Sequence, residues 1–376
     1  VYGAGSVGGV FNVIDHRIPK DSLDGLIGRA ETRFGGADNE RSGAAVADVG
    51  NGLFAIHADF YTRKTDDLEI PGSAIRRIKA NNHGDHVSNG KLVNSAAKSD
   101  GGAIGASLTF DQGHVGVSYS ESNSNYGTVA EPTVKVDMRS KRWDLSSEVH
   151  GLDSFIQRMK FRMAYTDYQH QEIDAGVVGT TFLNKGVETT LEAGHAKIGE
   201  VSGVFGLQTQ NTRFEALGDE AFVPSTHTAS QGLYFYEELP IDRMKLSLGG
   251  RVDKFNVKSS GGGVDDKFGE ASAKKFTPKN LSAGALFSID ENWSLATNLT
   301  HTERAPTQNE LFSNGAHVAT NQYEIGNKNL NVEKANGLDA QIRWKREKHS
   351  LSVSGFYTRF TNFISIYNTG ENVDGL

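Results

Sequence analysis

Twelve histidines and no cysteine mean that any metal this chain handles is held by nitrogen and oxygen ligands. The most compact set is Tyr165-Thr166-Asp167-Tyr168-Gln169-His170-Gln171-Glu172. On a strand, the two-residue period puts Tyr168, His170 and Glu172 on one face, where an imidazole and a carboxylate two residues apart can grip one cation. A second set, Asn82-His83-Gly84-Asp85-His86, has HxxH spacing around an aspartate. It is either a weak transition-metal site or two solvated histidines beside a turn glycine. His317 sits within a polar stretch from Thr302 to Asp339 that hangs between two alternating segments, and a loop that long ordinarily carries function. His57 shares a face with Asp59 and Tyr61 and reads as a wall residue. Ser118, Ser120 and Ser146 lack a nucleophile-elbow string or a paired acid and base, so the chain is not expected to be an enzyme. Gly3, Gly5 and Gly8 mimic a phosphate cradle, but no helical pattern follows them.

The elements that must position these groups are strands. Alternating segments run at about 26–34, 42–50, 53–64, 101–111, 114–122, 138–150, 154–170, 184–195, 198–214, 226–238, 243–257, 276–289, 293–303, 332–346 and 349–364. Turn-like joints such as Gly50-Asn51-Gly52, Asp111-Gln112-Gly113, Asp290-Glu291-Asn292 and Arg346-Glu347-Lys348 alternate with long polar connections at 65–100, 123–137, 171–183, 215–225, 258–275 and 304–331. Short turns on one side and long loops on the other are how an outer-membrane barrel is strung. Within 155–165, Phe155, Met159, Phe161, Met163 and Tyr165 alternate with Arg158, Lys160 and Arg162. Leu338, Ala340, Ile342 and Trp344 likewise oppose Asp339, Gln341, Arg343 and Lys345. The apolar face suits lipid, the charged face suits a wet lumen, and the expected fold class is an all-β, transmembrane antiparallel β-barrel. Trp143, Trp293, Phe360 and Phe363 fit an interfacial girdle.

Composition sets bounds. No apolar run approaches the roughly 20 residues of a membrane helix, so a mean hydropathy of -0.44 is compatible with a membrane protein that crosses by strands. A net charge of -7 without a clustered basic face offers no footprint for nucleic acid. The long polar connections hold Gly, Asn, Ser and Asp, which bury little apolar area, so they are expected to be the mobile part.

Within the Thr302 to Asp339 loop, ERAPT, NELF, NGAHVAT, YEIGN and NL follow in order, and the chain opens on YGAGSVGGVFNVI. These runs resemble TonB-dependent outer-membrane receptors, and HVATN with YEIGNKNL is most similar to their zinc-uptake branch. The resemblance implies a barrel of about 22 strands closed by a plug. Residues 1–20 would be the end of the plug and 21–376 the N-terminal part of the barrel, with the chain a fragment. It implies bacterial outer-membrane localisation, energising by TonB through a region outside this chain, and contact with outer-membrane lipid and lipopolysaccharide. It further implies Zn²⁺ as the transported ligand, with Glu172 and His317 as the barrel's metal ligands, His170 as a weaker candidate, and His83 and His86 as loop candidates. The family's plug ligands, an Asp-His pair, are expected in a part of the plug upstream of Val1, and Asp15-His16 does not take their role because it falls at a strand-ending turn. The connection from Asn123 to Val136 carries no histidine, unlike the histidine-rich loop of some zinc receptors. A ferric-siderophore or haem receptor is the alternative cargo reading, and an adhesin on a barrel scaffold is the alternative of another class.

Overall fold

The alternating segments form one long antiparallel meander in the computed structural model, which describes residues 5, 13–74, 89–218, 221–317 and 322–373. It opens with β1 (Asp24–Gly35), β2 (Glu40–Asn51) and β3 (Phe54–Thr65), followed by a small hairpin of β4 (Leu68–Ser73) and β5 (Asn89–Leu92). The middle comprises β6 (Ala97–Phe110), β7 (Gly113–Thr128), β8 (Glu131–His150), β9 (Ile156–Asp174), β10 (Val177–His195) and β11 (Ser202–Leu217). Next come β12 (Thr226–Ile241), β13 (Met244–Ser259), β14 (Ser272–Phe276), β15 (Lys279–Ser288) and β16 (Trp293–Arg304). After helix α1 (Gln308–Phe312) and the hairpin of β17 (Asn314–His317) and β18 (Gln322–Ile325), the chain ends in β19 (Glu333–Arg346) and β20 (His349–Thr361). Sixteen of these strands share one sheet in sequence order, with β14 as a side branch on β13. Pro278, unable to donate to a ladder, lies at the break between β14 and β15. Among the described residues β1 and β20 are the sheet's edges.

The two-residue period sorts the side chains as expected. Phe161 is opposite Leu191, Leu191 is opposite Leu207 and Leu207 is opposite Leu233, a continuous apolar row. Met159, Met163, Leu191, Phe205 and Leu233 stay exposed, as a lipid-facing band requires. On the other face Arg158 reaches Glu192 at 3.7 Å and Lys160 reaches Glu148 at 3.5 Å, so the even positions of β9 line the polar interior. Tyr119 packs on Trp143 at 4.9 Å near the loop side, and Trp293 packs on Trp344 at 6.5 Å near the turn side. These pairs make an aromatic girdle at each border. Phe360 does not join them: it is opposite Ala335 on the interior face and meets Phe363 edge-on at 5.1 Å, because β20's outward parity falls on Leu351, Val353 and Tyr357.

Two of the expected long loops are strand. β7 and β8 leave only Val129-Ala130 between them, and β9 and β10 leave only Ala175-Gly176, with φ of 45° and 89°. Two positive-φ residues are what a tight hairpin turn consistent with strand twist needs. The polar residues of 123–137 and 171–183 therefore lie on strands that rise past the membrane, where neighbouring strands satisfy their backbones. The remaining loops also bury more than their composition suggests. Phe182, Ala216, Ala221, Phe222 and Val223 form one apolar cluster, and Val257, Leu311 and Phe312, with Phe255, Phe276 and Leu330 against them, form a second. The connections after β11, β13 and β16 thus meet in a packed lid.

At the chain's start, residues 13–22 cross the interior face. Arg17 Nε reaches Asp59 Oδ2 at 3.4 Å, and Asp59 and Asp48 hold the two nitrogens of His57 at 2.9 and 2.8 Å. Gly105 and Gly116 leave no room for a Cβ beside the Arg17 carbonyl and the Ile18 side chain. Two glycine notches in β6 and β7 therefore seat this segment.

Candidate functional site

The lid positions His317. It ends β17, whose pairing with β18 sets Gly315 opposite Glu324 and His317 opposite Gln322. That hairpin brings the Glu324 carboxylate to 2.6 Å from His317 Nδ1. The imidazole also stacks on Phe222, with centroids 4.4 Å apart and planes 15° apart. Phe222 is buried in the connection after β11, and its backbone carbonyl accepts from Asn314 N at 2.8 Å. Lys267 Nζ donates to the Ala221 carbonyl at 2.8 Å, and Asn314 Nδ2 donates to the Lys267 carbonyl at 2.6 Å. Three connections are thus locked around one ring.

The base of the lid is Arg304, which pairs with Glu310 at 2.9 Å and Glu333 at 3.3 Å. Thr307 and Glu310 close a reciprocal cap on α1, satisfying donors that a helix of five residues leaves open. This capping points Leu311 and Phe312 into the second cluster.

His170 reaches the same aromatic stack from the barrel wall. Its ring stacks on Phe182 at 4.5 Å, Tyr168 approaches edge-on at 5.6 Å, and Phe182 touches Phe222 at 6.2 Å. Phe182 is opposite His170 across β9 and β10, so the strand register itself makes that stack. Two phenyl rings therefore separate the two imidazoles. His170 Nδ1 is buried without a hydrogen-bond partner among the described residues. Outward apolar residues on β9 end at Tyr165, so His170 lies beyond the membrane band. There burial holds its pKa below the ordinary histidine value, favouring the neutral ring that binds metals.

Glu172 follows two residues on, facing the interior between Val136 and Thr180. The expected triad of Tyr168, His170 and Glu172 on one face is present. Further down, the wall is hollowed at Gly186 to about 170 Å³ between Arg142, Tyr168, Glu188 and Gln210. Among the described residues no three histidine or acidic side chains converge as a metal centre. The structure places His170 and Glu172 on the β9 wall and His317 on the lid, with Phe182 and Phe222 between the two imidazoles. His83 and His86 lie outside the described residues. Sequence reasoning missed Glu324, Phe182 and Phe222. Glu324 lies seven residues from His317, and only the β17–β18 pairing reveals their contact.

Comparison with known proteins adds the following. The family profile described as TonB dependent receptor-like, beta-barrel matches residues 29–376. Among solved structures, the chain is similar to the copper transporter OprC, with TM-score 0.73, 14% identity, and coverage of 90% of this chain and 54% of that one. It is similar to the FrpB iron transporter from Neisseria meningitidis in its apoprotein form, with TM-score 0.70, 13% identity and coverage of 90% and 55%. It is also similar to the Serratia marcescens hemophore receptor HasR in complex with its hemophore HasA and heme, with TM-score 0.68, 13% identity and coverage of 91% and 55%. The chain spans about half the length of these structures.

Proposed function

The chain belongs to the TonB-dependent receptor β-barrel family of the bacterial outer membrane, and we propose on that basis that it is the N-terminal part of the barrel of a metal importer whose cargo is zinc. Transport rather than catalysis is its role, energised by TonB through a region outside residues 1–376. Residues 1–20 are the end of the plug and 21–376 barrel wall. Arg17 and Ile18, seated against the interior face at Asp59, Gly105 and Gly116, support that division.

The observation that carries the zinc reading is the His317–Glu324 contact of 2.6 Å. A carboxylate accepting from Nδ1 fixes the tautomer and makes Nε2 the basic, metal-seeking atom, as in metal-bound histidines generally. With His170 kept neutral and Glu172 on the same wall, the mouth offers imidazole and carboxylate to a borderline-soft ion, which they meet at about 2.0–2.2 Å. A plug supplying the remaining ligands lets one movement dismantle the site, so capture and release need no change of chemistry. The solved structures of similar fold carry copper, iron or haem-bearing cargo by their titles, and these are the competing cargoes.

The test is zinc binding by the full-length receptor in detergent, with competition by copper(II), a ferric siderophore and haem. His317→Ala and Glu172→Ala each weaken zinc by about 10-fold or more, with barrel assembly intact. Unchanged zinc affinity in the double variant returns the cargo to a siderophore or haem.

A further inference from the structure

The strand register leaves a gap in the interior wall below Tyr168. Three rows of inward positions run side by side across β8 to β11. In the middle row Arg142 is opposite Thr166, Thr166 is opposite Gly186 and Gly186 is opposite Thr212. In the row nearer the turns Asp144, Ala164, Glu188 and Gln210 follow in the same order, and in the row nearer the lid Tyr168 is opposite Asn184. Ala164 and Gly186 bring two minimal side chains together, and the wall is recessed there by about 170 Å³. A Cβ on Gly186 would lie 3.3 Å from Thr212 Oγ1, with nothing else closer than 3.5 Å, so neighbouring atoms do not by themselves demand a glycine. A glycine in a strand interior weakens the strand, and often marks the place where a ligand or another backbone comes close.

The hydrogen bonding around the recess decides what fits it. Arg142 donates to Asp144 from Nε at 2.9 Å and from Nη2 at 2.8 Å, and its Nη1 donates to Thr166 Oγ1 at 3.3 Å. That guanidinium is therefore matched and held within the wall. Glu188 accepts from Gln208 Nε2 at 2.5 Å, which leaves its second oxygen for another donor. Among the described residues the hydroxyls of Tyr168 and Thr212 and the amides of Asn184 and Gln210 make no side-chain hydrogen bond. An anion in the recess would face Glu188. A cation would face Arg142, and among the described residues no three histidine or acidic side chains converge to hold one. An apolar group would displace water from the rim without replacing its hydrogen bonds. A neutral molecule rich in hydroxyls meets all of these conditions, because a hydroxyl both donates and accepts, as the two amides do. The volume corresponds to about six waters at about 30 Å³ each, the bulk of one six-membered sugar ring.

We infer that the recess is a binding subsite for one neutral sugar ring. Gly186 and Ala164 form its floor, Glu188 accepts from ring hydroxyls, and Asn184 and Gln210 bridge neighbouring hydroxyls with their paired donor and acceptor. Arg142, already neutralised by Asp144, shapes one side and excludes cations. The assignment does not depend on the metal reading, since it uses none of His170, Glu172 or His317.

The experiment is saturation-transfer NMR on the full-length receptor, kept in a detergent without a sugar headgroup and offered glucose or glucuronate. Glucose receives saturation and glucuronate, repelled by Glu188, does not. Gly186→Val fills the floor and weakens glucose binding about 10-fold or more, the loss expected when hydrogen bonds to a carboxylate can no longer form. Glu188→Gln weakens glucose as well but admits glucuronate, an exchange of preference that misfolding does not mimic. Absence of transfer to glucose in the wild type, equal transfer in Gly186→Val, or equal transfer to glucuronate overturns the assignment and leaves the recess to another stretch of backbone. His317→Ala leaves the glucose signal in place and Gly186→Val leaves zinc binding in place, so the two readings fail separately.

Discussion

At the scale of single residues, the chemistry concentrates in how His317 is held. A histidine in a long loop has many rotamers, and freezing one costs side-chain entropy at the moment of binding. Here Phe222 fixes the ring plane and Glu324 fixes the proton, so the cost is met on folding. Glu324→Ala therefore weakens zinc binding by about 10-fold, within the range for carboxylates behind metal-bound histidines, and Glu324→Asp recovers part of it. Chelator competition on the folded receptor reads both. His170 gives a pH prediction. Its folded pKa is below the unfolded value, so the unfolded chain takes the proton more readily. Stability is then full above the unfolded pKa of about 6.5 and declines as pH falls through it. Thermal melts of the wild type lose more on acidification from 7 to 5 than those of His170→Phe, and identical slopes would remove His170 from the account.

At the scale of elements, the lid behaves as a small folded unit rather than as three loose loops. Leu311 and Phe312 come from a helix of five residues, too short to persist alone, and its capping box and apolar anchors hold it. Leu311→Ala deletes a side chain with no exposed area and costs about 2–5 kcal/mol. That cost falls on lid docking and not on the strands below. Limited proteolysis of intact cells shows it as faster cleavage within 258–275 or 304–331, with the full barrel still present on a heat-modified gel. Unchanged cleavage means that the lid is not cooperatively packed. The hairpins β7–β8 and β9–β10 make the complementary point. Their turns resist cleavage in the wild type because only two residues separate each pair of strands.

At the scale of the whole molecule, one face of the sheet must meet lipid and the other a wet interior. Leu233 is 61% exposed in the middle of the apolar row, whereas Thr190 on the opposite face is buried among polar neighbours. An arginine at a lipid-facing midplane position costs about 2–4 kcal/mol. Leu233→Arg therefore lowers the yield of folded receptor in outer membranes, measured by heat-modifiable mobility, while Gln208→Arg on the interior face is tolerated. The reverse ranking would exchange the two faces and with them every assignment made from register.

Period and punctuation in the amino-acid sequence were enough to establish the antiparallel meander, the face that Arg158, Lys160 and Arg162 share, and the joint presentation of Tyr168, His170 and Glu172. These features are local: a strand's parity depends on neighbours one and two residues away. They did not reveal that 123–137 and 171–183 are strand, because polar alternation beyond the membrane has no apolar face to mark it. Nor did they foresee the lid, since Phe182, Phe222, Val257 and Leu311 lie in four separate stretches that become clusters only when the connections meet. The Phe182–Phe222 bridge between His170 and His317 and the Glu324 contact were decided by tertiary structure. Each depends on which strand lies beside which and in what register, and that is set by the pairing free energy summed over whole strands rather than by any residue's own neighbours.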